Sequence, residues 1–153
     1  MIYDRTQEDV NNAAQIIRGK LQQGQELTNE DIDILERGTI TLDTINRIEQ
    51  TQNELWQNFI SSSYFGEKPK NKIWSENEIF KLSDFERLIS NGELLRNAFF
   101  DYSNTPQKAL PKYTFEQLNA MERLLHDLQE NYKYMVSHWK KCGIYRCGGV
   151  ING

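Results

Sequence analysis

Basic clusters, cysteines and long apolar runs are all scarce in this sequence, and each shortage excludes a class of protein. The densest basic stretch is Lys68-Pro69-Lys70-Asn71-Lys72, too short for a nucleic-acid footprint in a chain of net charge -4. No apolar run reaches the ~18 residues that span a bilayer. The opening Met1-Ile2-Tyr3-Asp4-Arg5 lacks the charged and apolar regions of a signal peptide, so synthesis and folding in the cytosol are expected. Two cysteines, Cys142 and Cys147, make no disulfide framework. Three prolines and nine glycines are too few for a fibrous or low-complexity chain. The chain has 153 residues, enough for one domain with a real core, and its mean hydropathy of -0.72 implies a very polar surface.

What is present is helical periodicity. From Thr114 to Trp139 the apolar residues Leu118, Met121, Leu125, Leu128, Tyr132, Met135 and Trp139 recur at alternating spacings of three and four. Leu124 and Val136 widen that stripe, Thr114 and Gln117 form a capping box, and Pro111 lies just before it. The same seam occurs twice earlier, as Ile45, Ile48, Gln52, Leu55, Phe59 and as Phe85, Leu88, Gly92, Leu95, Phe99. The residues flanking the last seam include Glu122, Leu124, Gln129, Asn131, Val136 and His138. These are not the opposed charges that set coiled-coil partners, so the spacing predicts three helices sharing one intramolecular core. In that core Leu125 is expected to fill the room left by Gly92, and Gln52 to find partners near a bundle edge.

Two shorter helices should precede these. Thr6 with Asp9 and Thr28 with Asp31 are start signals, and Gly24 and Gly38 are stops. Asp43 is the expected cap of the third helix, which should run to about Phe59 or Ile60 and end at Ser61-Ser62-Ser63. Ser83 with Glu86 should open the fourth. The connection over residues 61–82 is long for a compact domain. Trp74, Ile79 and Phe80 should pin its second half to the core, while Tyr64 and Phe65 either cover a bundle end or meet another chain. A second connection, 100–113, carries Pro106 and Pro111. Gly148-Gly149 between two β-prone runs predicts a hairpin over residues 140–153. The expectation is an all-α single domain of about five helices with a short C-terminal β-hairpin.

Chemistry is sparse. His138, Cys142 and Cys147 give only three ligands in zinc-like order; on a helix His126 would lie about 18 Å from His138, too far to be the fourth. The carboxylates Asp31, Asp33, Glu76, Glu78 and Glu93 read as caps and solvated faces. No nucleophile elbow, phosphate loop or H-E-x-x-H motif is present. An enzyme, a metal, a cofactor and a small-molecule substrate are therefore not expected.

Four pieces carry a resemblance, in order: Ile2 to Val10, Leu42 to Glu49, Ser83 to Asn91 and Tyr113 to Glu122. Together with the tail Gly143-Ile144-Tyr145 they resemble a helical module of bacteriophage and prophage structural proteins of Gram-positive bacteria. The sequence departs from such modules at Leu35, where they often carry Trp, and at Arg146 and Cys147, where they often carry an acidic hairpin. The resemblance implies a non-catalytic virion protein, made in the host cytoplasm and assembled into a tail or baseplate as an adaptor. A head or neck accessory protein, or an assembly chaperone that stays in the cytosol, is the alternative. Its partners would be other virion proteins, with no nucleic acid or membrane. Because the seams commit their apolar residues to the core and hot spots favour aromatics and Arg, the candidate contacts are Tyr64, Phe65, Trp74, Tyr102, Tyr145 and Arg146.

Overall fold

A computed structural model describes residues 2–62, 66–99 and 114–141, with the helical backbone alone at 99 and 139–141. Five α-helices follow in order: α1 (Gln7–Gly19), α2 (Asn29–Gly38), α3 (Leu42–Ser61), α4 (Leu82–Phe99) and α5 (Phe115–Lys141). A single 3-10 turn, Leu21–Gln23, follows α1. No strand occurs among the described residues. Helix α5 continues to Lys141, into the first residues expected of the hairpin, and the rest of that hairpin lies outside the described residues.

The helix starts obey local chemistry, with two corrections to expectation. Thr6 and Thr28 each accept a backbone N–H from the residue three on, while Asp9 and Asp31 reach back to the cap's own N–H. Thr114 accepts the Gln117 N–H at 3.3 Å. Helix α3, however, is capped by Thr41, whose hydroxyl accepts the Thr44 N–H at 3.2 Å; Asp43 lies inside the first turn. Helix α4 begins one residue before Ser83, and Asp84 closes its start by accepting the Lys81 N–H at 3.0 Å. At α3 the Thr41 hydroxyl takes a first-turn N–H, and at α4 the Asp84 carboxylate reaches back to the N–H of Lys81, the residue before the helix.

Helices α1 and α2 pack on each other and only slightly on the rest. Gly38 permits that closeness: a Cβ there would overlap the Asp9 carbonyl oxygen and the Ala13 Cβ. Gly24, at φ 67°, turns the chain between them. Lys20 donates to Asp31 at 2.6 Å, and Arg37 to Asp9 at 3.2 Å. The Lys20 ammonium, aided by the Thr28 N–H and hydroxyl, holds the Asp31 carboxyl at about 2. The resulting stabilisation is complete above the ordinary value of 3.8 and is lost as the pH falls towards about 2.

Helices α3, α4 and α5 form the main bundle, and all run the same way. Glu49 meets Arg87 and Gln52 meets Asn91 between α3 and α4. Arg47 meets Glu122, and Phe59 meets Tyr132, between α3 and α5. Residue numbers rise together in every pair, so each helix starts at the same end. This explains the long connections: α3, of 20 residues, is about 30 Å long, and the chain must recross that distance before α4 begins. Parallel macrodipoles place three positive helix ends side by side, and Asp43, Asp84 and Glu116 in the first turns offset them.

The described parts of the three seams do share one core. Ile45, Ile48, Leu55, Phe59, Phe85, Leu88, Leu95, Leu118, Met121, Leu125 and Leu128 are all buried in a single cluster, joined by Trp56 and Leu124. The middle register differs from expectation. A Cβ on Gly92 would meet Met121 Sδ at 2.9 Å and Leu124 Cδ2 at 3.5 Å, so these two residues, not Leu125, occupy that room. Gln52 is wholly buried rather than at an edge; its amide donates to the Leu88 carbonyl at 2.8 Å and accepts from Asn91 at 3.1 Å. Leu125 is itself fully enclosed. Leu125→Ala should cost about 2–5 kcal/mol in chemical denaturation, as a cavity in a packed core does. A loss under about 0.5 kcal/mol, typical of surface sites, would contradict the shared core.

Candidate functional site

The side chains with the most chemistry are two buried carboxylates, each gripping an extended segment of chain. Glu49 is 4% exposed on α3, and Glu122 is 0% exposed on α5. Each lies one residue beyond a core position, after Ile48 and after Met121, at the same register of its seam. An ion in such a place must be paired and hydrogen-bonded or it is strongly destabilising.

Glu49 holds the segment that returns from α3 to α4. Arg87 brings its two terminal nitrogens to the two carboxylate oxygens, the fork-to-fork arrangement of a strong pair. The Trp74 indole N–H donates to Oε1 at 3.1 Å and the Lys72 backbone N–H to Oε2 at 3.2 Å. Asn91 on α4 reads the segment's backbone at Lys70, accepting its N–H at 2.9 Å and donating to its carbonyl at 3.2 Å. Asn71 in turn donates to the Glu49 carbonyl at 3.0 Å. Trp74 is buried against the bundle and meets Phe80 at 5.4 Å between ring centroids.

Glu122 holds the N-terminal segment by the same means. Arg5 donates to Oε2 at 3.0 Å, Arg47 to Oε1 at 2.8 Å and the Ile2 backbone N–H to Oε2 at 2.6 Å. Asn119 reads the backbone at Arg5, accepting its N–H at 3.2 Å and donating to its carbonyl at 2.8 Å. An asparagine that clasps one residue's N–H and C=O, beside a glutamate that accepts a further N–H and an arginine, therefore occurs at both places. Both carboxylates are buried and committed to holding the chain.

Among the described residues, two surface features lie beside these clamps. Residues 72–80 form a tip, braced by a Lys72–Glu78 ion pair of 2.7 Å and by the Lys72 ammonium 3.8 Å from the Trp74 ring centroid. At the end of the bundle where the helices start, an open cleft of about 460 Å³ lies between α1, the α2–α3 turn and α5. Val10, Ile40, Phe115 and Leu118 give it apolar walls, with Gln7 and Glu116 beside them.

Of the sequence-derived contact candidates, only Trp74 is among the described residues, and it anchors the returning segment from inside. Tyr64, Phe65, Tyr102, Tyr145 and Arg146 lie outside the described residues, as do Cys142 and Cys147. Ile79, expected to pin the connection, is instead 79% exposed, while its neighbour Phe80 packs against the core. His126 packs on Tyr3 and His138 on Tyr134. Among the described residues no group of three or more His, Cys, Asp or Glu is placed to hold a metal ion. None of the described helices is long and apolar enough to cross a membrane.

No protein-family model, curated protein or solved structure matches the chain.

The clamps were not legible beforehand. Glu49 and Glu122 follow core positions in the pattern of ordinary solvated flanks. The available signal was their shared register in two of the three seams, with Ile89 at the third. Glu122→Ala should strand the buried Arg5 guanidinium and cost about 3–5 kcal/mol. Replacing both partners, as Arg5→Met with Glu122→Leu, should recover most of that loss in urea denaturation. If the double variant is no more stable than Glu122→Ala, the pair is not the source of the cost.

Proposed function

We propose that the chain is a non-catalytic structural protein of a bacteriophage virion, an adaptor of the tail or baseplate that works through protein–protein contacts. The observation that carries this reading is the order of the four motifs along nearly the whole chain. All four have a physical role in the fold. Ile2 to Val10 is the clamped N-terminal segment and the start of α1. Leu42 to Glu49 brings the first clamp's carboxylate, and Tyr113 to Glu122 brings Asn119 and the second. Ser83 to Asn91 supplies Arg87 and Asn91, which close the first clamp from α4. The shared pattern is thus the hardware that holds this bundle together, which suits a component whose task is to keep shape under load. The buried ionisable groups are engaged in that hardware, so the reading asks no chemistry of them.

Contacts to other virion chains belong to the ends of the molecule, where the outer helix faces give way to loops. The C-terminal segment, with Tyr145 and Arg146, is proposed as one such contact. Mass spectrometry of purified particles from the encoding phage should find this chain at stoichiometric copy number. Deletion of residues 143–153, or Tyr145→Ala, should reduce incorporation while the isolated protein keeps its helical content and melting temperature. A chain abundant in the lysate but absent from particles would contradict the structural role and favour an assembly chaperone.

A further inference from the structure

The two clamps differ in how completely they are satisfied. At Glu122, three buried nitrogens have no hydrogen-bond partner: Nε and Nη2 of Arg5 and Nε of Arg47. Glu49, Trp74, Arg87 and Asn91 leave no buried polar atom in that state. Buried donors without partners weaken the contact that encloses them. What the Glu122 clamp fastens is also sparsely packed. No apolar residue before Ile40 belongs to the core cluster or packs against it. Among residues 2–38 only Arg5, Ala13 and Asp31 are buried. Ala13 lies against Gly38 of α2, and Asp31 is held by Lys20 and Thr28, so both are covered within the α1–α2 hairpin. Among the described residues, every hydrogen bond from this part of the chain to the three-helix bundle comes from Ile2 or Arg5. Tyr3 adds a ring contact to His126.

We propose that residues 2–38 form a releasable arm: when the clasp on Glu122 lets go, the α1–α2 hairpin leaves the bundle as one unit, hinged at Thr39, while α3, α4 and α5 stay folded. Thr39 is extended, at φ -133° and ψ 169°, and stands between the end of α2 and Ile40, where packing on the core begins. Release strands no buried charge. Glu122 takes Arg5 on Oε2 and Arg47 on Oε1. Arg5 departs with the arm, and Arg47, on α3, keeps the carboxylate paired. Two guanidinium groups on one carboxylate also repel each other, so Arg47 both loosens Arg5 and replaces it. Once detached, helices of 13 and 10 residues with so little buried apolar surface do not hold their own structure. Clasp, α1 and α2 are therefore lost and regained together, and opening uncovers Glu122 and Asn119 side by side on α5. The inference rests on the clasp and not on a role in a virion.

The test is hydrogen exchange of the full chain in increasing urea, below its unfolding transition. The amides of Arg5, α1 and α2 should share one opening with a shallow urea dependence, and should exchange at least ~10-fold faster than those of α3 and α5. Leu95→Ala cuts a cavity in the core without touching the arm. It should speed the α3 and α4 amides at least ~10-fold and leave the arm amides unchanged, because arm opening keeps that core intact. Asn119→Ala removes both backbone bonds of Arg5 and should speed the arm amides about 10-fold. Arg47→Met should slow them, since Arg5 then holds Glu122 without a rival. Arm amides that exchange with the free energy and urea dependence of α3 overturn the proposal. So do arm amides that quicken with Leu95→Ala as much as α3 does, or that open one helix at a time without Arg5. Arm exchange that Arg47→Met leaves unchanged or quickens overturns the release step. If Leu95→Ala does not fold, the urea dependence of the wild-type chain decides.

Discussion

The path of the chain around this bundle depends on two buried carboxylates, Glu49 and Glu122. Three parallel helices cannot be joined by short turns, because each must be followed by a segment that recrosses the bundle. Such a segment carries a row of backbone N–H and C=O groups, and laid on a packed core they would lose water without gaining partners. Glu49 and Asn91 are those partners for the segment that returns from α3, and Glu122 and Asn119 serve the N-terminal segment in the same way. Four side chains thereby turn lengths of irregular chain into part of the core. Neither ion pair need add net stability over a well-packed apolar pair. What each adds is selection: a segment shifted by one residue would leave a charge buried and alone.

The division of labour follows from that constraint. Apolar side chains of the three seams supply the burial, at roughly 1.5–3 kcal/mol for each large one enclosed. The clamps decide where the extended segments lie. Trp74 joins the two roles, since its ring enters the apolar cluster while its N–H satisfies Glu49. Fixing the returning segment at Trp74 also sets where the tip beyond it begins, with Ile73 and Ile79 exposed on it. The α1–α2 pair is tied to the bundle chiefly through the N-terminal clamp and the turn into α3, and the open cleft is what lies between.

The sequence showed its repeating parts well and its singular parts badly. Three aligned seams announced three helices and a shared core, because burial imposes period on many residues at once. Caps were legible where one residue had the right spacing, at Thr6, Thr28 and Thr114. They were misassigned where two candidates stood close together, Thr41 beside Asp43 and Asp84 beside Ser83. Direction was missed, although a connection from Ser61 to Leu82 is long enough to imply that the chain runs back alongside α3. The clamps were missed for a deeper reason. Glu122 becomes a buried ion only because Arg5 and Arg47, far away in sequence, arrive beside it, and no local pattern records that meeting. Gln52 was legible as an oddity in its seam but not as the buried partner of Asn91.

Hydrogen exchange of individual amides tests the clamps most directly. The N–H groups of Arg5, Lys70 and Lys72 lie in segments without helix or strand, and each donates to a side chain of the bundle. The account predicts that they exchange at least ~100-fold more slowly than in an unstructured chain, as amides that open only with a cooperative unit do. Exchange of these three at unstructured rates, while the amides of α3 remain protected, would show that the segments are not held and would contradict the account.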